Sequence, residues 1–266
     1  MRGAAVGVIG VLAGFVARGV AAPGDPAAGG REGAGAVGLP EVETFGSIAQ
    51  LVRDRDASAK VDLASVIRLP HAYALGSLED LRGEITIIDG DVWLSYPPAR
   101  PGAAVKVVTT AGTNEAAAFL VATHADERAD WTAIALPDGL ASREAAGRLA
   151  KWARERGLGG PEGRPVPFRL DGTFTSLTLA IVDGRLVPPG PGTEEAMKKA
   201  QVIETHARAR GTLVGFCSFA PAGSAFTHPG QPCHVHAVLS EERATGHAQD
   251  FVVAPGATLW MPTSTR

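Results

Sequence analysis

Asp89 and Gly90 stand between two β-prone runs, 84–88 and 91–94. A two-residue connection of this kind needs positive φ at both central positions, which Asp and Gly tolerate, so the pair predicts a type I′ hairpin and hence antiparallel sheet. Further β-prone runs follow at 105–109 and 131–136, in PFRLDGTFTSLTLAIVDG, in GTLVGFCSF, and in HVHAVL, HAQDFVVAP and ATLWMP. PFRLDGTFTSLTLAIVDG reads as two strands closed by a second Asp-Gly turn at Asp183 and Gly184. Helical spacing is confined to three places. FGSIAQLVRD carries apolar residues at Phe45, Ile48, Ala49, Leu51 and Val52. Residues 142–156 form a charged amphipathic helix with Leu149 and Trp152 on one side and Ser142 as N-cap. TEEAMKKAQVIETHARA, capped by Thr193, is the third. With 33 Gly, 19 Pro and only 6% aromatic residues, short elements joined by many turns are favoured over a helical bundle. The expected class is α/β with few helices, and no solenoid-period repeat occurs.

The 266 residues allow one large domain or two small ones. A turn-rich break at 157–167 marks two halves, 41–160 and 161–266. A formal net charge of −3 gives no reason to expect nucleic acid or an anionic membrane surface as a partner, since both demand a basic field. At the start, Arg2 leads into an apolar run over 4–17, and Val20, Ala21 and Ala22 offer small residues for cleavage. That is the layout of a secretory signal peptide over 1–22, interrupted by Arg18 and too short for a membrane anchor. Processed, the protein would be secreted or periplasmic. If the stretch is only an Ala/Gly-rich leader, the chain stays cytoplasmic. Residues 23–40 read as a flexible linker. Cys217 and Cys233 are the only cysteines; they either pair in an oxidising compartment or remain half-buried thiols.

The chemistry-bearing side chains concentrate near the C-terminus. Residues i and i+2 of a strand project from one face, so His234 and His236 present two imidazoles side by side. The polar stretch LSEERATG reads as a hairpin loop that returns His247, eleven residues after His236, to a place opposite the pair. Three histidines with an open fourth position are the plan of a catalytic zinc site. An HxH pair without a third ligand is commonly only a polar strand face. His228 is either a hydrogen-bonding neighbour of the site or a loop residue, and His71, His124 and His206 carry no assignment.

GTLVGFCSFAPAGSAFTHPGQPCHVHAVLSEERATGHAQDF resembles the C-terminal core of the acetolactate decarboxylases. The matching pieces are a GT-hydrophobic-GF strand (211–216), a Pro-Gly turn (Pro229, Gly230), His234-Val235-His236, an acidic loop, and Gly246-His247. Upstream, ALGSLEDLRGEITIIDG resembles the family's GxGTxxxLDGE hairpin, with Ser77 in place of Thr and Glu84 at the active-site glutamate. PFRLDGTF resembles the strand pair between the two regions. The resemblance spans most of 45–260. It implies a homodimer of α+β type, with mixed and antiparallel sheets and a barrel-like C-terminal portion. It also implies His234, His236 and His247 as zinc ligands, and release of CO₂ from 2-acetolactate to give acetoin. A 2-hydroxy-3-oxo acid chelates zinc through its hydroxyl and ketone oxygens, and the Lewis acid stabilises the enediolate left by CO₂. Glu84 would then deliver the proton.

The sequence departs from the family in several places. The family's substrate-binding Arg, in an R-x-V-P stretch, falls on Ala180 by direct alignment. Arg185-Leu186-Val187-Pro188 restores the letters only with an insertion, and Arg185 also reads as an exposed turn residue. The aromatic after HxH is Ala237 here, and the chain stops nineteen residues past His247, before the family's C-terminal glutamate. These departures keep a second reading open: a metal-binding homologue with lost or altered activity. A cupin-like metal protein is a third, since Glu241 follows the HxH pair at cupin spacing. A cupin needs a further histidine after His247, and none occurs.

Overall fold

The computed structural model describes residues 40–263, apart from 101, 111–113, 127–128, 159–163, 191 and 221–223. The leader and all but the last residue of the linker lie outside the described residues. The Asp-Gly hairpin forms as its chemistry requires. φ is 52° at Asp89 and 86° at Gly90, and Ile88 lies opposite Asp91.

That hairpin joins β4 (Glu84–Ile88) to β5 (Asp91–Tyr96) within a seven-stranded sheet. Its other strands are β1 (Val42–Phe45), β2 (Val61–Asp62), β3 (Ala72–Leu78), β6 (Lys106–Thr110) and β7 (Ala116–His124). They run in the order β1-β7-β3-β4-β5-β6, with β2 also on β7. The second sheet has eight strands. These are β8 (Trp131–Leu136), β9 (Leu140–Ala141), β10 (Val166–Val182), β11 (Gln201–His206), β12 (Ala209–Cys217), β13 (Cys233–Leu239), β14 (Ala244–Val253) and β15 (Ala257–Pro262). Every strand pairing among the described residues is antiparallel. The chain passes from one sheet to the other between β7 and β8, upstream of the break read at 157–167, and both sheets belong to one compact unit, Ala36–Arg266.

β10 does not break into two strands as the sequence reading had it. It runs for 17 residues, its first half paired with β12 and β15 and its second half with β11 and β14. Its pairing with β14 shifts register at Phe174/Ser176 and at Thr178/Leu179. Such bulges bend a strand without ending it. The bend lets β10, β12, β13 and β14 close on one another, each paired with the next, which makes the partly closed barrel of an α+β fold. Asp183 and Gly184 open a short 3-10 turn (Gly184–Leu186) rather than a hairpin. The third helix is also shorter than expected. α3 spans Glu194–Lys199, capped by Thr193 Oγ1, which accepts from the Ala196 N–H at 3.1 Å. QVIETH, helix-like by composition, is β11, because the second half of β10 needs a hydrogen-bonding partner there. His206 therefore sits on a strand. Helix α2 (Ser142–Glu155) is capped by Ala141, and Ser142 Oγ instead donates to Asp250. Residues 48–54 form a short turn ending in a π-helical segment (Gln50–Asp54), and Phe45 belongs to β1. The remaining helix, α1 (Leu63–Val66), is one turn. No helix among the described residues is long and apolar enough to cross a membrane.

β3 is buried along its whole length. Tyr73 and Leu75 face the second sheet with Phe119 and Val121 of β7, and meet Val182, Val214 and Phe216. Ala72, Ala74 and Leu78 face the other way, with Ile85, Ile87, Leu94 and Leu120. Each fully buried large side chain of this interface, such as Tyr73, Phe119 and Phe216, contributes about 1.5–3 kcal/mol. Alternation along β4 then sends Ile85 and Ile87 away from the second sheet and Glu84 and Thr86 toward it. That is what brings a carboxyl from the first sheet to histidines on the second.

β3 and β7 are so close that a Cβ on Gly76 would stand 2.0 Å from the Phe119 carbonyl oxygen. Gly76→Ala is therefore expected to lower the urea unfolding free energy by more than about 2 kcal/mol. Gly90→Ala, at φ 86° with nothing within 4 Å of its Cβ, should cost about 1–2 kcal/mol from backbone strain alone. A Gly76→Ala protein as stable as wild type would contradict the close β3–β7 approach.

Candidate metal centre

β13 and β14 form the hairpin that sets the site. His236 lies directly opposite His247, and His234 shares the face of His236. The opposite face of β13, with Ala237 and Leu239, fills the barrel core. Ring centroids are 5.3 Å apart for His234–His236, 4.8 Å for His234–His247 and 5.6 Å for His236–His247. The sequence reading thus named three residues that the fold brings together. It did not assign the fourth imidazole beside them, His228, whose centroid lies 5.4 Å from His234 and 5.7 Å from His247. Potential ligand atoms of His228, His234 and His247 all lie within 4.8 Å of one another. Family resemblance and atomic proximity therefore name overlapping sets, sharing His234 and His247 and differing in His236 and His228.

The hydrogen-bond network decides which ring nitrogens are bare. Thr245 has one hydroxyl proton, and the Ala237 carbonyl, 2.8 Å away, can only accept it. Thr86, 2.9 Å from Thr245, must then donate to it, so His236 Nδ1, 3.2 Å from Thr86 Oγ1 and also hydrogen-bonded to the Ile85 carbonyl, carries the proton. His236 Nε2 is left as an unprotonated lone pair, buried and with no hydrogen-bond partner among the described residues. His234 repeats the pattern, its Nδ1–H donating to the Phe226 carbonyl at 2.8 Å. His228 Nδ1 meets Glu194 Oε2 at 3.0 Å. An acceptor on Nδ1 that presents Nε2 bare is the tautomer a metal ligand needs. Burial holds His234, His236 and His247 well below the usual histidine range, and the neighbouring imidazoles push the same way. All three are neutral, as metal binding requires. The orphaned lone pair and the neutral imidazoles fit a divalent cation.

Glu84 closes the group from the first sheet. Its Oε1 accepts from the Val182 N–H at 3.0 Å, its Oε2 accepts from Ser77 Oγ at 3.2 Å, and Oε2 stands 4.0 Å from His236 Nε2. Burial pushes this carboxyl up to about 7, against the lowering pull of its Val182 and Ser77 hydrogen bonds. The site opens into a cavity of about 680 Å³ lined by Ser77, Glu84, His228, His234, His247 and Lys198, among others. Arg185 is not brought there. It is exposed, its guanidinium held by Asp183 at 2.8 Å and by the Pro98 carbonyl at 2.7 Å. The ordinary turn residue is the reading its surroundings support. Thr86 and Thr245 went unnoticed in the sequence, although Thr86 shares the face of Glu84 by simple alternation. His228 and Glu194 meet across 34 positions of sequence, which no local spacing encodes.

A family model described as Alpha-acetolactate decarboxylase matches residues 72–265. No curated protein matches. Similar solved structures include alpha-acetolactate decarboxylase from Bacillus subtilis strain 168, at 18% identity and TM-score 0.64, covering 84% of this chain and 85% of that one. The acetolactate decarboxylase of Bacillus subtilis subspecies spizizenii gives 18% and 0.63, with coverage of 84% and 86%. A protein of unknown function from Staphylococcus aureus, described as similar to alpha-acetolactate decarboxylase, gives 16% and 0.59, with coverage of 83% and 85%. At these identities the likeness of the structures shows the fold.

The buried imidazoles impose a pH dependence on the metal-free protein. Below about 6.5 the unfolded chain protonates histidines that the folded chain keeps neutral, which favours unfolding. Glu84 acts oppositely, holding a proton in the folded chain from its ordinary 4.5 up to about 7. Three histidines outweigh one carboxyl, although His247 is only partly shielded, so unfolding takes up roughly one to two net protons in this window. The Tm of the metal-free protein should fall as pH is lowered from 6.5 to 5. A Tm that stays level or rises over that interval would contradict neutral burial of the cluster.

Proposed function

The chain belongs to the alpha-acetolactate decarboxylase family, and on that premise we propose that it is a zinc-dependent carboxy-lyase converting 2-acetolactate, or a similar 2-hydroxy-3-oxo acid, to acetoin and CO₂. The observation that carries the reading is the approach of the Glu84 carboxyl to within 4.0 Å of the bare His236 Nε2, at the edge of a cavity large enough for a small acid. His234, His236 and His247 would hold the ion. When bound, zinc supplies Lewis acidity to the hydroxyl and ketone oxygens of such a substrate.

The remaining chemistry falls to side chains of this chain. Loss of CO₂ breaks a carbon–carbon bond and leaves its electron pair on the former 2-carbon, which then needs one proton. Glu84 is the donor, with the proton on Oε2, the oxygen nearer the imidazoles. Burial raises this carboxyl to about 7, so it carries a proton on the acid side of neutrality, a shift that a bound cation opposes. Ser77 Oγ and the Val182 N–H fix the carboxyl's orientation. The apolar wall of Ile48, Leu51, Val52 and Met197 limits water around the reacting carbon. Export belongs to the same reading, supported by the leader at 1–22 and by the Cys217–Cys233 disulfide, a bond that persists in oxidising compartments. Homodimer formation rests on the family alone.

A second reading, a metal-binding homologue with an altered reaction, is favoured by one observation: Arg185 is held by Asp183 and Pro98 and does not line the cavity.

Purified full-length protein loaded with Zn²⁺ should form acetoin from racemic 2-acetolactate, and a chelator should abolish the activity. Glu84→Gln should lower turnover about 10²–10⁴-fold while metal content stays near one per chain. Absence of acetoin from the fully loaded wild type would reject the substrate, and unchanged turnover in Glu84→Gln would reject the proton donor.

A further inference from the structure

Residues 218–220 and 224–232, between β12 and β13, form a built loop. Its two ends are joined by the Cys217–Cys233 disulfide, and the Ser218 N–H donates to the Pro232 carbonyl at 2.7 Å. Phe226, buried, packs against Phe216 and offers its carbonyl to His234 Nδ1. The Ile48 N–H donates to the Ala225 carbonyl at 2.8 Å, tying the loop to the segment after β1. These attachments deliver His228 to the mouth of the histidine cluster, where Glu194 of α3 takes Nδ1. Nε2 is then the nitrogen free to bind, the same presentation as in His234 and His236.

Bonds of about 2.1 Å to imidazole nitrogens in a tetrahedral shell place ring centroids roughly 5 Å apart. His228 stands 5.4 Å from His234 and 5.7 Å from His247, and the β13–β14 histidines are spaced at 4.8–5.6 Å. We propose that His228 is a further, loop-borne protein ligand of the metal, positioned by the 217–233 disulfide and by Glu194. The proposal rests on the metal centre described above but on neither the reaction nor the substrate. His228 would fill a position beside His234 and His247, so a substrate would enter by displacing it or by raising the coordination number. Residues 224–232 thus work as a strap that retains the ion in the resting protein.

Cobalt(II) is the probe, because its visible absorption reports ligand number and its affinity can be read by chelator competition without substrate. In the full-length chain, His228→Ala should raise the Co²⁺ Kd by more than about 100-fold and alter the visible bands, while the metal-free Tm stays near wild type. Glu194→Gln should raise Kd by about 10- to 100-fold, as loss of a ligand's hydrogen-bond partner does. Cys217→Ala/Cys233→Ala should weaken binding in the same direction. Should His228→Ala fail to fold, the spectrum and Kd of Glu194→Gln decide. Wild-type Kd and spectrum in His228→Ala, or in Glu194→Gln if that variant must decide, would overturn the proposal. Wild type that takes up no Co²⁺ would instead remove the metal centre itself, and the strap with it.

Discussion

A buried hydrogen-bond relay between the two sheets is the constraint on which the rest of the structure depends. It runs from His236 Nδ1 through Thr86 and Thr245 to the Ala237 carbonyl, crossing from β13 to β4 and back to β14 and β13. Burying uncompensated polar groups costs several kcal/mol, so completing the chain favours the register in which the two sheets meet here. That register also sets Glu84 against the Val182 N–H of β10. The ring nitrogen of His236 that this relay leaves without a partner is Nε2. A buried lone pair that faces a carboxyl and other imidazoles presents a ligand site.

The barrel and its bulges serve that arrangement. Closing β10, β12, β13 and β14 onto one another forces one face of β13 into an apolar core and the other toward the first sheet. His234 and His236 take the outward face because alternation leaves them no other. The 17-residue length of β10 matters for the same reason. Its end, at Val182, supplies the backbone donor that holds Glu84.

Parts of this were legible in the sequence because their signals are local. An Asp-Gly pair fixes a hairpin through its own backbone preferences, and HxH with a short polar loop fixes two strands and a third histidine. β3 and β7 escaped notice because both faces of each are covered, so AYALGSL and AAAFLVATH show no polar alternation. QVIETH read as helix because its propensity is weak and the demand of β10 for a partner lies outside the window. Arg185 drew attention through its letters, whereas its guanidinium is satisfied by Asp183 two residues away. His228 depends on a disulfide between cysteines 16 positions apart, and neither its ring nor Glu194 carries any periodic signal.

The central claim is that these imidazoles and Glu84 enclose one metal ion. Anomalous diffraction at the zinc edge from crystals of zinc-loaded protein tests it most directly. The account predicts a single strong peak within bonding distance, about 2.1 Å, of His234 Nε2 and a ring nitrogen of His247, with the Glu84 carboxyl facing it. No peak among these side chains, or a peak held by residues elsewhere on the chain, would contradict it.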